Sequence, residues 1–116
     1  MQSKKPGQIA LTYLPNTSMQ QGKLRPVLLL SQLPYGFDDW LICMVSSKTQ
    51  HYVSDLDEHI DRSDDDFIQS SLKEASVIRA ARLAVVSGDI LLGAIGQIST
   101  KRLSRIKQNL AKWLSR

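Results

Sequence analysis

A chain of 116 residues, 42% hydrophobic and 22% charged, suits one compact domain; two domains sharing this length would each lack a core. No apolar run reaches the 18 residues of a membrane-spanning helix, and the amino-terminal MQSKKPGQ has cations without the apolar stretch of a secretory signal, so a cytoplasmic protein is expected. The net charge of +4 is unevenly spread: residues 55–74 hold eight acidic and two basic residues, net −6, and the rest holds thirteen basic and three acidic, net +10. Such a surface fits a polyanionic partner, although cations that merely keep a small protein soluble explain it equally well.

The chain opens with Ile9 to Leu14, in which Ile9, Leu11 and Tyr13 share one face by the two-residue period of a strand. Pro15, Asn16, Ser18 and Gly22 then mark a polar loop longer than an ordinary hairpin turn, and loops of that kind tend to be functional. Pro26 to Leu33 is apolar on both faces and reads as a central or interface strand, with Pro26 tolerated at its first position. The turn PYGFDD, residues 34–39, joins it to Trp40–Ser47, again apolar on both faces, and the two form a hairpin. Two-faced apolar strands of this extent exceed what one small barrel buries, which predicts a homodimer.

Beyond His51 the chain is acidic and irregular up to Ser63, whose hydroxyl is placed to cap a short helix starting DDDFIQSSL. Asp64, Asp65 and Asp66 then complement the helix dipole; as consecutive helical residues they point apart and cannot converge on one ion. The single cysteine, Cys43, excludes an internal disulfide, and His51 and His59 lack metal-ligand spacing to it, so neither a metal nor a cofactor is expected. Ser76–Arg79 and Arg82–Val86 read as strands, Ser87-Gly88-Asp89 as a turn, and Ile90–Ile98 as a last strand in which Gly93 and Gly96 predict a bulge or a close backbone approach. Ser99 caps a carboxy-terminal helix that buries Leu103, Ile106, Leu110 and Trp113 and leaves Lys101, Arg102, Arg105, Lys107 and Lys112 in solvent.

In order, GQIALTYLPNTSMQQGKLRPVLLLSQ, WLICMVSSKTQ and SVIRAARLAVVSGDILLGAIGQIS followed by a helix resemble the MazF/PemK family of toxin–antitoxin ribonucleases. The matching pieces are the family's strand, loop and R-P-hydrophobic strand, a strand ending in Thr or Ser, an S-V-[VI]-R segment, and a final I-G-x-[LI]-S. Only the stretch from about Gln50 to Glu74 lacks a counterpart. The resemblance implies one domain over residues 1–116, mostly β with a carboxy-terminal helix, folded as a small SH3-like barrel of the CcdB/MazF type, dimeric, and held in check by an antitoxin protein.

It also implies metal-independent cleavage of single-stranded RNA by attack of the ribose 2′-OH on the adjacent phosphorus. Such chemistry needs a base near the 2′-OH, an acid for the leaving oxygen and a cation for the charge that builds on phosphorus. Arg25 matches the family's catalytic arginine, and its planar fork can hold a phosphate bidentately. Ser46 matches the hydroxyl at the strand end. Gln20, Lys23 and Arg79 are the implied RNA contacts, and the Asn16–Lys23 loop with this patch is expected to take either RNA or an acidic antitoxin segment. The chain departs from the family in two places: Gln20 stands where some members have glutamate, and Ala81 where others have the aspartate of Arg-x-Asp. His51, just past the Ser46 strand, is of a type that titrates near neutrality, but a loop histidine is more often a bystander. The alternative to an enzyme is therefore a non-catalytic RNA- or antitoxin-binding SH3-like module.

Overall fold

The computed structural model describes residues 4–13 and 23–116. Within them, strands β1 (Gln8–Tyr13), β2 (Leu24–Gln32), β3 (Asp39–Ser46), β4 (Glu58–Ile60), β5 (Ser76–Ser87) and β6 (Ala94–Gln97) form one antiparallel sheet in the order β4-β5-β3-β2-β1-β6. The sheet curls into a half-barrel, and helix α2 (Thr100–Leu114) packs on its inner face. A short helix, α1 (Phe67–Ser70), precedes β5. The expected β2–β3 hairpin is present. Its turn closes where the Leu33 N–H donates to the Asp39 carbonyl at 2.9 Å, and the indole of Trp40 donates to the Asp38 carboxylate at 2.8 Å.

Both faces of the central strands are buried because each meets a different cover. On the inner face, Ile9, Leu28, Leu30, Cys43, Val45 and Ile78 pack with Ile106 and Leu110 of α2. On the outer face, Ala10, Val27, Leu29, Trp40 and Ile42 pack under Leu91, in the segment that crosses back after a 3-10 turn at Gly88–Ile90. This second cover revises the reading of β1. Thr12 is completely buried and donates its hydroxyl proton to the Ile90 carbonyl at 2.9 Å, whereas Tyr13, which shares a face with the buried Ile9, is 57% exposed. The two-residue period was sound, but both faces of this strand are used.

Two irregularities shape the rest. Cys43 faces Leu83 while the next residue, Met44, faces Arg79, so Ala80, Ala81 and Arg82 are additional residues on β5. What reads in the sequence as two strands is one strand with a three-residue bulge. The final strand is shorter than expected, and one extra residue, Ile95, sits between the Ile9–Gly96 and Ala10–Ala94 pairs. Gly93 adopts φ 119°, and a Cβ on Gly96 would collide with the backbone of Gln69 and Ser70, so the edge strand needs glycine at both positions.

The acidic stretch departs most from its expectation. Helix α1 begins after Asp66 rather than Ser63, and the Ser63 hydroxyl instead donates to Asp61 at 2.6 Å. Asp66 is buried and turned toward α2, where it accepts from Arg102 Nε at 2.8 Å and Nη2 at 3.0 Å and from the Ser99 N–H at 3.0 Å. Arg102, expected in solvent, is buried too; its Nη1 donates to Glu58 at 3.0 Å and to the His59 carbonyl at 2.7 Å. That last bond occupies a backbone group of β4, an edge strand of three residues that carries no hydrophobic alternation in the sequence. Ser99 caps α2 as expected by accepting from the Arg102 N–H at 3.1 Å, and Ile106 and Leu110 are buried, but Trp113 is 42% exposed.

Burial disfavours the charged form of Asp66, but the guanidinium of Arg102 and the Ser99 N–H outweigh it and hold the carboxyl below its usual 3.8. A depressed carboxyl stabilises the fold at pH values above the unfolded one and loses that contribution as pH falls through the folded one. Arg102→Met is expected to cost about 3–5 kcal/mol at neutral pH, because it strands Asp66 buried and unpaired. Urea unfolding as a function of pH checks this: the gap between wild type and variant should narrow as pH drops below about 3.8.

Candidate nucleic-acid interface

The β2–β3 ladder ends at the Val27–Met44 pair, yet both strands continue. β2 runs back to Leu24 along β1, and β3 runs on to Ser46 along β5. Pro26, which has no N–H to donate, sits where the two strands part. The sheet therefore splays, and an open groove of about 1230 Å³ forms there. Arg25 lies two residues before Val27 and Ser46 two residues after Met44, so both leave the same face as that pair. Arg79 is the partner of Met44 on β5 and joins them on this face. Lys23, Arg25, Ser46 and Arg79 all line the groove, together with Lys48, His51 and Arg82.

Each side chain is held differently. Arg25 and Lys23 are exposed at the start of β2. Ser46 is half-buried, and its oxygen accepts from the Lys48 N–H at 3.0 Å, which leaves the hydroxyl proton to donate elsewhere. Arg79 is half-buried, and its Nε is buried with no hydrogen-bond partner among the described residues. A buried N–H without an acceptor costs stability, while Arg79 as a residue lines the groove, where a guanidinium suits an anionic ligand. The groove thus offers the guanidiniums of Arg25, Arg79 and Arg82, the ammonium groups of Lys23 and Lys48 and the Ser46 hydroxyl, a set that can bind a phosphodiester and neutralise negative charge on its phosphorus.

The structure brings together four of the five residues singled out in the sequence; Gln20 and the rest of its loop up to Gly22 lie outside the described residues. Sequence reasoning passed over Glu74, which lines the groove and is hidden in the sequence among seven other acidic residues of the 55–74 stretch. It also passed over Arg82, whose placement depends on the β5 bulge. Ala81, where the family pattern has an aspartate, is exposed on that bulge. Cys43 is a buried free thiol, pushed up by burial and by the nearby charge of Asp57. Among the described residues, no three His, Cys, Asp or Glu side chains stand close enough to share a metal ion, and no helix is long and apolar enough to cross a membrane.

Residues 5–114 match the sequence model of the PemK-like, MazF-like toxins of type II toxin–antitoxin systems. The chain belongs to this family. No curated protein matches it in sequence. Among solved structures, the Mycobacterium tuberculosis toxin MazF-mt6 aligns over 93% of this chain and 96% of its own with a TM-score of 0.68 at 14% identity. An endoribonuclease in complex with its cognate antitoxin, from a mycobacterial species, aligns over 97% of this chain and 96% of its own with a TM-score of 0.67, also at 14% identity. At that identity the likeness is one of fold, and the half-barrel with its carboxy-terminal helix is the PemK/MazF-like arrangement.

If the groove cations of this PemK/MazF-like chain meet phosphates, each releases counterions from a bound single strand. Replacing Lys23, Arg25 or Arg79 by alanine should then flatten the dependence of log affinity on log salt by about 0.7 per residue. Titrations of a fluorescent single strand at several salt concentrations measure the slope, and an unchanged slope would remove that residue from the interface.

Proposed function

We propose that this chain is the toxin of a toxin–antitoxin pair, acting in the cytoplasm as an endoribonuclease on single-stranded RNA. The observation that carries the reading is the convergence of Arg25, Ser46 and Arg79 on one groove from three adjacent strands. The ribose 2′-oxygen attacks the adjacent phosphorus and the bond to the 5′-oxygen breaks, which yields a 2′,3′-cyclic phosphate and a 5′-hydroxyl. Arg25 holds the phosphate bidentately and meets the charge that builds on its oxygens, with Arg79 as a second cation. Ser46 donates its proton to a non-bridging oxygen. The guanidiniums supply the positive charge that a divalent metal provides in other nucleases, so the step runs without one. His51 and Glu74 are the groove residues able to take the 2′-OH proton or return one to the leaving oxygen.

The inhibitor in this reading is an antitoxin with an acidic segment that occupies the same groove, so RNA and antitoxin compete. The protein acts as a homodimer, with one domain per chain. The apolar faces of β2 and β3 do not carry that part, because both are buried within the chain. Its support is the exposed apolar edge formed by Tyr13 and its cross-strand partner Leu24 with Leu92 and Ile95 beside β1. Sedimentation equilibrium is expected to find particles of twice 13.0 kDa, and Leu92→Glu should reduce them to single chains.

A binding-only module remains the second reading, favoured by Ala81 at the position of the family's aspartate. Arg25→Ala decides between them. It should slow cleavage by about a hundredfold or more, roughly 3 kcal/mol, as for loss of one preorganised donor to a developing charge. A deoxyribose at the cleaved position should abolish cleavage and preserve most phosphate contacts. Equal rates for wild type and Arg25→Ala would exclude this groove as the catalytic site, and no cleavage of a broad RNA pool by either would leave the binding module.

A further inference from the structure

Asp57 is buried, 6% exposed, and has no cation within ion-pair distance among the described residues. A buried carboxylate without a counter-cation is an expensive structural element, so what its oxygens hold is informative. One oxygen accepts from the Val53 N–H at 3.0 Å, and the other accepts from the Ala80 N–H at 3.0 Å. Val53 lies two residues beyond His51, in the chain leaving the 3-10 turn Thr49–His51. Ala80 is the first of the three additional residues on β5, directly after Arg79. A bulge this large has lost its ladder bonds to β3 and needs another acceptor to fix its course. The carboxylate supplies it, and at the same time ties the bulge to the segment that carries Lys48 and His51.

We propose that Asp57 is a positioning residue that sets the spacing of the groove's two walls by fixing Arg79, the residue just before the bulge, opposite the segment that carries His51. This rests on the functional reading above, since it assigns Asp57 to the same groove. Arg79 lines the groove, and its buried Nε has no hydrogen-bond partner among the described residues, so the backbone on either side rather than a side-chain contact at Nε fixes its place. Each carboxylate oxygen accepts from a backbone N–H, and among the described residues Asp57 forms no ion pair with a guanidinium.

Asp57→Asn tests it, because a side-chain amide offers one acceptor oxygen and turns an NH2 toward the other N–H. The probe is a pool of short single-stranded oligodeoxyribonucleotides of mixed sequence, which cannot be cleaved by 2′-OH attack. Asp57→Asn and Arg79→Ala are each expected to weaken binding by about tenfold, in line with one charge-assisted contact. The double variant should weaken it by little more than either alone, because Asp57 acts through Arg79. Losses that multiply, to about a hundredfold, would mean that Asp57 acts on the fold in general and would overturn the proposal. Should Asp57→Asn fail to fold, nitrogen NMR of the wild type decides: the pool must shift the Arg79 Nε–H resonance while the Val53 and Ala80 amides stay protected from exchange, and an unmoved Arg79 resonance overturns the proposal. Absence of any binding by the wild-type protein would instead strike the functional reading itself.

Discussion

The half-barrel is held shut by one buried guanidinium. Arg102, in the first turn of α2, reaches Asp66 before α1 and both Glu58 and the His59 carbonyl of β4. These partners alternate with Leu56, Ile60 and Phe67, which pack into the inner core, and the ion pairs add a directed link from that segment to α2. Burial disfavours the charge on Arg102, and the carboxylates around it outweigh that penalty. Removal of either side of such a pair costs more than the pair contributes, since a lone buried charge remains. With α2 anchored at this point, Ile106 and Leu110 lie over the inner face, and β4 pairs with Ser76–Ile78 of β5, just before Arg79.

The site depends on a different feature, the ending of one ladder before its strands end. β2 and β3 part after Val27 and Met44, and each continues along its other neighbour. Side chains on the two lips of that opening face a shared space without being packed together. Arg25 stands on one lip, Ser46 and Arg79 on the other. Positive charge without ion-pair partners is tolerable here because the groove is open to solvent, and it matches the net +10 of the chain outside its acidic stretch. The acidic stretch itself is largely committed to structure: Asp57 to two backbone N–H groups, Glu58 and Asp66 to Arg102.

Several features governed by local rules were legible in the sequence, although the Ser63 cap does not form, because its hydroxyl donates to Asp61. The hairpin at residues 34–39, the Ser99 cap and the glycines of the last strand required only turn chemistry, a hydroxyl before a helix and the absence of a Cβ. Features set by distant partners were not. Arg102 looks like its neighbours Lys101 and Arg105 in any local window, and only the arrival of Asp66 from 36 residues away makes its burial favourable. β4 has no pattern of its own and forms because β5 offers it an edge. Ala80 and Ala81 read as a break between strands, although the chain passes through as a bulge that also takes in Arg82. In the site, Arg25 and Ser46 were legible through family resemblance rather than through composition, while Glu74 needed three dimensions to be separated from the other acidic residues.

The central claim is that an arginine-lined groove cleaves RNA by using the substrate's own 2′-hydroxyl. The ends of the cut strand report on this directly. Mass spectrometry of fragments made by the purified protein in excess chelator is predicted to find 2′,3′-cyclic phosphates paired with 5′-hydroxyls. Fragments ending in 3′-hydroxyl and 5′-phosphate, or cleavage that requires an added divalent metal, would mean that water or a metal-bound hydroxide is the nucleophile and would contradict the account.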